Sequence, residues 1–433
     1  MIWFGSSGVR GVSFDDFTLD LAGKIGSAVG SRHKVVVIGR DARLTSPMFS
    51  HAVSSALMGV GANVSDAGIV TTPTLAYAAR HSSCGVMITA SHNPPEYNGI
   101  KLWNPDGSSF DTGQMEDMEA KMAGHVGQAD WKSVGSLSTI QDATEDHKER
   151  ILSIVGGSEI KVVVDCANGP ASQITPAILK EMGCNVITIN AQLDGSFPGR
   201  PAEPAEENLS ALKDAVAKLG ADLGIAHDGD ADRMVAIDDR GRFAGGDVLL
   251  KVFAKESGAK SMVAPVDATM LLDDWFGANL YRTRVGDAYI SEEVKRTGAD
   301  FGGEPSGTWI FPKVSLCPDG VFAAAKLVEM VSERKLSEMM DETPSLPMLK
   351  ETLMFEPSKR EAILSNLKKG IPSLKALDVD TTDGFKLGFG DGWALVRLSG
   401  TEPKMRIVVE ARAAGRAKEI MMPVKEVAER CLR

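Results

Sequence analysis

The sequence predicts an α/β protein in which three similar α/β domains with layered mixed sheets precede a C-terminal α+β domain. Three observations lead there. At 433 residues the chain is long enough for about three separate cores at roughly 150 residues each. A β-branched run, a stretch with helical apolar spacing and a closing glycine phrase recur in that order three times, each recurrence a domain length apart rather than a solenoid period apart. Past about Pro344 the order of elements changes.

In the first copy, residues 34–38 read as a strand and 47–60 as a helix; the second has 161–164 and 176–182, and the third 261–266 and 270–276. The helices end in Gly61-Ala-Asn-Val64, Gly183-Cys-Asn-Val186 and Gly277-Ala-Asn-Leu280, where glycine suits a left-handed cap and the next residues open a strand. Coincidence is the alternative, since strand-helix-glycine-strand is a common order. In the last part, 348–355, 393–398 and 405–409 read as strands and 359–367 as a helix, with a closing helix. The expected domains are 1–150, 151–246, 247–345 and 346–433, with residues 124–138 crossing between the first two.

Composition narrows the function. With 47 basic and 58 acidic residues the net charge is −11, which disfavours partners bound through phosphate neutralisation, so no nucleic acid and no membrane surface are expected. Hydrophobic residues at 43% and charged ones at 24% are ordinary for a folded soluble chain. Neither the roughly 18 consecutive apolar residues of a membrane span nor a basic-then-apolar leader occurs, and the expected location is the cytoplasm. Cys84, Cys166, Cys184, Cys317 and Cys431 are scattered, without a C-x-x-C pair, and read as buried thiols.

Chemistry concentrates in four places. The apolar strand 84–88 runs into Thr89-Ala-Ser91-His92-Asn-Pro-Pro-Glu-Tyr-Asn-Gly-Ile-Lys101, setting a serine at the mouth of a sheet before a proline-stiffened turn. His92 and Lys101 offer proton transfer or positive charge beside that hydroxyl; a plain polar turn is the competing reading. Strand 222–226 delivers Asp228-Gly-Asp230-Ala-Asp232-Arg233, whose alternating carboxylates, read as one side of an extended loop, suit a hard cation such as Mg²⁺. A solvated acidic turn is the alternative, and an EF-hand is excluded because Arg233 and Asp239 stand where glycine and glutamate belong. Gly302-Gly-Glu304-Pro-Ser306-Gly307 could bind sugar hydroxyls or be an ordinary Gly-Pro loop. Arg397-Leu-Ser399-Gly400-Thr401-Glu-Pro-Lys-Met-Arg406 combines backbone amides, hydroxyls and two guanidinium forks, as a phosphate cradle does. Walker and dinucleotide fingerprints are absent from the sequence.

These four motifs in this order, after Phe4-Gly-Ser-Ser-Gly-Val-Arg10-Gly, resemble the α-D-phosphohexomutase superfamily over essentially the whole chain. The resemblance implies four domains around a central cleft, phosphoserine at Ser91, and Mg²⁺ bound by that phosphate with Asp228, Asp230 and Asp232. It places Arg10 and Arg233 near the reacting phosphate, makes Lys101 and His92 the proton-transfer candidates, and puts Glu304 and Ser306 on the sugar. Arg397, Ser399, Gly400, Thr401 and Arg406 then hold the phosphate that is not reacting. Gly303-Glu-Pro-Ser-Gly-Thr308-Trp309 and Arg284-Val-Gly-Asp-Ala288-Tyr289 look like the archaeal-type phosphoglucosamine branch, although Ala288 replaces a basic residue of its bacterial members. The implied reaction interconverts glucosamine 6-phosphate and glucosamine 1-phosphate through a 1,6-bisphosphate, which also serves as activator. Mixed phosphomannomutase/phosphoglucomutase specificity is the runner-up, ahead of a metal-dependent sugar phosphatase and a sugar-phosphate-binding protein. A monomer or homodimer acting on a hexose or hexosamine phosphate is expected.

Overall fold

Burial on both faces explains the unbroken apolar run that opens the first copy. In strand Val35–Arg40, Val36 and Ile38 pack against helices Leu19–Arg32 and Ser46–Gly59, while Val37 packs the opposite way against Leu75 and Ala76 of helix Thr72–Ala78. A strand covered on both sides has no polar face to alternate with. The computed structural model describes residue 5, residues 8–399 and residues 403–432. It divides into two compact units, one of residues 1–262 with 286–342 and one of 263–285 with 343–433.

The first unit contains two mixed sheets. One runs Val9–Val12, Tyr97–Trp103, Cys84–Ile88, Val35–Arg40, Asn63–Ile69, Leu137–Thr139. Its last four strands are parallel, and Tyr97–Trp103 returns antiparallel beside Cys84–Ile88. Residues 137 and 138, expected at the end of a crossing segment, instead belong to the strand Leu137–Thr139 that extends this sheet at its edge. The second sheet runs Phe243–Ala244, Met234–Asp238, Leu223–His227, Lys161–Asp165, Asn185–Ile189, with the last three parallel. In both, the loops leaving the carboxyl ends of parallel strands carry the motifs, the usual place for chemistry in such sheets. A hairpin of Phe301–Glu304 and Thr308–Ile310 completes the strands assigned wholly to this unit after residue 286.

Long-range polar links knit this unit. His147, on helix Ala143–Leu152, has Nδ1 3.0 Å from Thr74 Oγ1 and Nε2 3.0 Å from Asp319 Oδ2. Asp319 also caps helix Gly320–Glu333 by accepting from Phe322 N at 2.8 Å. Buried polar groups satisfied in this way fix the helices relative to one another.

In the second unit an antiparallel sheet runs Met348–Met354, Lys404–Ala411, Gly392–Leu398, Phe385–Gly388, Asp378–Asp380. Helices Arg360–Gly370 and Ala414–Leu432 cover one face through Ile363, Leu367, Ile420 and Val424, packed on Val396, Ile407 and Val409. Gly61, Gly183 and Gly277 all have positive φ (81°, 107° and 51°), as their place after each helix requires. All five cysteines are free and buried, and among the described residues no helix is long and apolar enough to cross a membrane.

Lys386, on strand Phe385–Gly388, has its ammonium 4.7 Å from the centre of the Trp393 ring. Burial, with Arg282 adding to it, pushes Lys386 down to about 8 from 10.5. Between those values the unfolded chain holds a proton that the folded chain has released, so stability from this group rises with pH through that window. Lys386→Met should remove that rise while leaving other titrations in place. Thermal melts of both proteins near neutral pH and near pH 10 check it, and identical pH dependence would contradict the buried-amine assignment.

Candidate active site

Strand Cys84–Ile88 is fully buried, and the chain leaves it in a tight turn rather than a long loop. Ser91 lies in the left-handed region at φ 50°, where a residue with a Cβ is strained. Its N–H donates to Thr89 Oγ1 at 2.9 Å, and its hydroxyl donates to Asp228 Oδ2 at 2.7 Å. The turn closes by Asn93 and strand Tyr97–Trp103 begins four residues later, so Lys101 returns on a strand, paired with Met87, rather than in the serine loop.

The acidic motif also folds tighter than expected. It is a turn, not an extended segment: Ala231 has φ 60°, and its N–H donates to Asp228 O at 3.3 Å. The three carboxylates still converge, with ligand atoms of Asp228, Asp230 and Asp232 all within 4.8 Å of one another and all three residues buried. Thr72 donates its hydroxyl to Asp230 Oδ2 at 2.6 Å and its N–H to Asp230 O at 2.9 Å. Lys101 Nζ donates to Asp230 Oδ2 at 2.8 Å and to Asp232 Oδ2 as well. Among the described residues, Oδ1 of Asp230 and Oδ1 of Asp232 have no hydrogen-bond partner.

Three buried carboxylates this close together need positive charge beside them. Burial, reinforced by the neighbouring carboxylates, raises Asp228 well above the ordinary range, and burial with Asp230 raises Asp232. Asp230 goes the other way: burial opposes its ionisation, but Lys101 outweighs that and lowers it. Lys101 is itself held charged, the two aspartates outweighing its burial. Arg233 and Arg10 add positive charge from further off, yet Asp228 and Asp232 stay raised. An all-oxygen donor set with two uncommitted oxygens fits a hard divalent cation.

Around this centre stands a basic rim. Burial, then Arg233, Arg10 and Lys101, push His92 far down, so its ring is neutral. His92 Nε2 lies 3.4 Å from Glu203 Oε2, and Arg233 Nη1 lies 3.5 Å from Glu203 Oε1. Arg10 reaches Asn93 Oδ1 at 3.4 Å. Glu304 is aimed by two donors, Gly286 N at 2.6 Å and Ser306 Oγ at 2.8 Å, and its charge favours protonated Arg233. The first unit therefore gathers Ser91, His92, Lys101, Arg10, Arg233, the three aspartates, Glu304 and Ser306.

The remaining candidates belong to the second unit. Arg397 Nε is 2.6 Å from Asp383 Oδ2 and stands opposite Arg406 on the adjacent strand. Ser399 N donates to Lys404 O at 2.8 Å, closing the loop, while Gly400 and Thr401 lie outside the described residues. Arg360 Nη1 donates to Ser399 O at 2.7 Å. Sequence reasoning missed Arg360, Thr72 and Glu203, which hold site residues from distant segments, and also Asp41 and Arg43. The last two carried a usable signal: an acidic-basic pair directly after a buried strand.

Residues 1–126, 144–241 and 246–346 match the alpha/beta/alpha domains I, II and III of phosphoglucomutase/phosphomannomutase, and residues 358–427 match its C-terminal domain. The chain belongs to this family, within the α-D-phosphohexomutase superfamily. A Methanocella arvoryzae protein named "Probable phosphoglucosamine mutase" is 48% identical over 434 residues, covering 100% of this chain and 99% of its own. A phosphoglucomutase/phosphomannomutase family protein of Burkholderia thailandensis has TM-score 0.87 and 25% identity, covering 99% of this chain and 97% of that one. The Aspergillus fumigatus N-acetylphosphoglucosamine mutase, solved with GlcNAc-6P and magnesium, shares the fold at TM-score 0.60 and 15% identity, covering 100% and 96%.

Gly229 sits where the acidic turn meets the serine turn, and a Cβ there would lie 2.5 Å from Ser91 O. Gly229→Ala should push the two turns apart, costing about 1–3 kcal/mol and most of the turnover. Gly415→Ala, with nothing within 4 Å of the added carbon, is the control. Melting and turnover assays of both variants check it; equal behaviour would contradict the tight approach.

Proposed function

We propose that this isomerase interconverts glucosamine 6-phosphate and glucosamine 1-phosphate through phosphorylated Ser91 and a glucosamine 1,6-bisphosphate. The observation that carries the reading is the Ser91 hydroxyl, held 2.7 Å from Asp228 beside two buried carboxylates with uncommitted oxygens. The phosphoglucosamine mutase name of the archaeal relative supports the choice of sugar.

In the first half-reaction the bond between Ser91 Oγ and phosphorus breaks as a sugar hydroxyl oxygen bonds to that phosphorus. The hydroxyl proton passes to the neutral ring of His92 and ends on the Ser91 oxygen, while Lys101, held charged, adds positive charge beside the group in transfer. After the sugar turns over, its other phosphate returns to Ser91 by the reverse steps. Asp228, Asp230 and Asp232, with the phosphoryl group on Ser91, would hold Mg²⁺, which neutralises charge on the oxygens of the group in transfer. Arg10 and Arg233 add guanidinium donors to those oxygens. Glu304 and Ser306 orient the sugar through its hydroxyls. Arg397, Ser399, Gly400, Thr401 and Arg406 grip the phosphate that is not reacting, so that remote binding energy serves orientation. A sugar 1,6-bisphosphate primes Ser91.

Incubation with glucosamine 6-phosphate and a catalytic amount of bisphosphate should yield the 1-phosphate, at higher kcat/KM than glucose or mannose phosphates give. Ser91→Ala should lose essentially all turnover and the phosphoserine mass increment. Release of inorganic phosphate instead would favour the phosphatase alternative, and preference for mannose phosphate would reassign the sugar.

Thorough chelation should abolish turnover and added Mg²⁺ should restore it. Calorimetric titration should show Mg²⁺ binding to the phosphorylated wild type that is weakened at least ten-fold in Asp230→Asn. Full activity after complete metal removal would overturn the metal assignment.

A further inference from the structure

We propose that Arg43 is the positioning residue for the Ser91 nucleophile, a role that rests on the phosphoryl-transfer reading of Ser91. The Arg43 side chain has 0% of its surface exposed, so it cannot itself grip a substrate. Four of its five hydrogen bonds go instead to carbonyls of the serine turn and the start of the strand after it. Nη2 donates to Ser91 O at 2.8 Å and Asn93 O at 2.6 Å, Nη1 to Pro94 O at 2.5 Å and Tyr97 O at 3.0 Å, and Nε to Asp41 Oδ2 at 3.0 Å. With five N–H groups available, the fork is saturated.

Asp41 completes the device. It accepts from Ser46 Oγ at 2.6 Å, from Arg43 N at 3.0 Å and from Thr89 Oγ1 at 2.7 Å, and Thr89 Oγ1 in turn accepts from Ser91 N at 2.9 Å. The N–H of Ser91 is thus tied to Asp41 through Thr89, and its carbonyl is tied to Arg43 directly. One ion pair restrains both polar groups of a peptide segment whose φ of 50° is otherwise unfavourable. Released from either tie, the residue would relax toward negative φ and carry Oγ away from Asp228.

The same guanidinium also registers the serine turn against the carboxylates. Its carbon lies 5.0 Å from the centre of the Phe197 ring, and Phe197 is among the atoms nearest to a Cβ placed on Gly229. Arg43 therefore touches the segment that backs the acidic turn while holding the serine turn. A lysine could neutralise Asp41 but lacks the planar fork needed to reach four carbonyls.

The test is Arg43→Lys in the full-length protein, assayed with glucosamine phosphates. Displacement of the nucleophile by an ångström costs on the order of a hundred-fold in rate, so kcat should fall about that much while KM stays within about two-fold. The rate at which a sugar bisphosphate phosphorylates Ser91, followed by intact mass, should fall by the same factor in protein that melts cooperatively. A kcat within about three-fold of wild type, or a loss no larger than the unfolded fraction, would overturn the role. Should Arg43→Lys not fold, Thr89→Val cuts the other tie and should show the same kcat-selective loss; unchanged kcat there would overturn it too. Ser91→Ala run alongside separates the layers: if it stays active, the phosphoryl-transfer reading itself fails, whereas an inert Ser91→Ala beside a fully active Arg43→Lys removes the positioning role alone.

Discussion

Asp228, Asp230 and Asp232 are buried with their ligand atoms within 4.8 Å of one another, so their charge must be met from inside the protein. Much of the surrounding structure answers that demand. Thr72 and Lys101, brought from two other elements, converge on Asp230, Lys101 also reaches Asp232, and Ser91 and the Arg233 amide hold the two oxygens of Asp228. The compensation is incomplete, as the raised Asp228 and Asp232 show. A fold that stopped at stability would replace such a cluster with apolar packing. Keeping it makes sense where a cation and a phosphoryl group are to be received.

The threefold repeat has a polar counterpart as well as an apolar one. In the first copy Asp41 follows the strand Val35–Arg40, and Arg43 holds the neighbouring strand-end turn by its carbonyls. In the second, Asp165 ends strand Lys161–Asp165 and pairs with Arg200, which donates to His227 O at 2.6 Å, at the base of the acidic turn. In the third, Arg282 donates to Pro265 O, Ala268 O and Thr269 O in the segment following strand Met262–Pro265. A turn at the end of a buried strand leaves carbonyls unpaired by any ladder. An arginine fork satisfies several at once and stiffens the turn, and in the first two copies it holds the serine turn and the base of the acidic turn.

Much of this was legible along the chain. Strands buried on both faces write themselves as β-branched runs, and glycine is nearly obligatory where the chain leaves a helix at positive φ, as at Gly61. The serine and the aspartates announced themselves because their chemistry needs neighbours close in sequence. What stayed hidden depends on pairing or on distance. Lys101 reads as part of the serine loop because its strand pairs with Cys84–Ile88 on a register that no local pattern reveals. The acidic motif reads as extended because Ala231 gives no sign of its positive φ. Glu203 and Thr72 act on residues far away in the sequence, and only the folded sheets bring them there.

Contact lengths divide the site into an inner and an outer part. The ties on Ser91 and Asp230 are short: 2.7 Å from Ser91 to Asp228, 2.6 Å from Thr72 to Asp230, and 2.8 Å from Arg43 to the Ser91 carbonyl. The rim contacts are long, at 3.4 Å for Arg10 to Asn93, 3.4 Å for His92 to Glu203 and 3.5 Å for Arg233 to Glu203, and Arg10 Nε has no partner among the described residues. Electrostatic catalysis is most effective when the groups facing developing charge need no reorganisation at the moment of reaction. By that measure Ser91, the proposed nucleophile, and the carboxylates are set during folding, whereas Arg10 keeps donor capacity that a phosphate can claim. A site that must accept the same sugar phosphate in two orientations needs that division: a fixed point of transfer, and a rim loosely enough held to engage whichever end arrives.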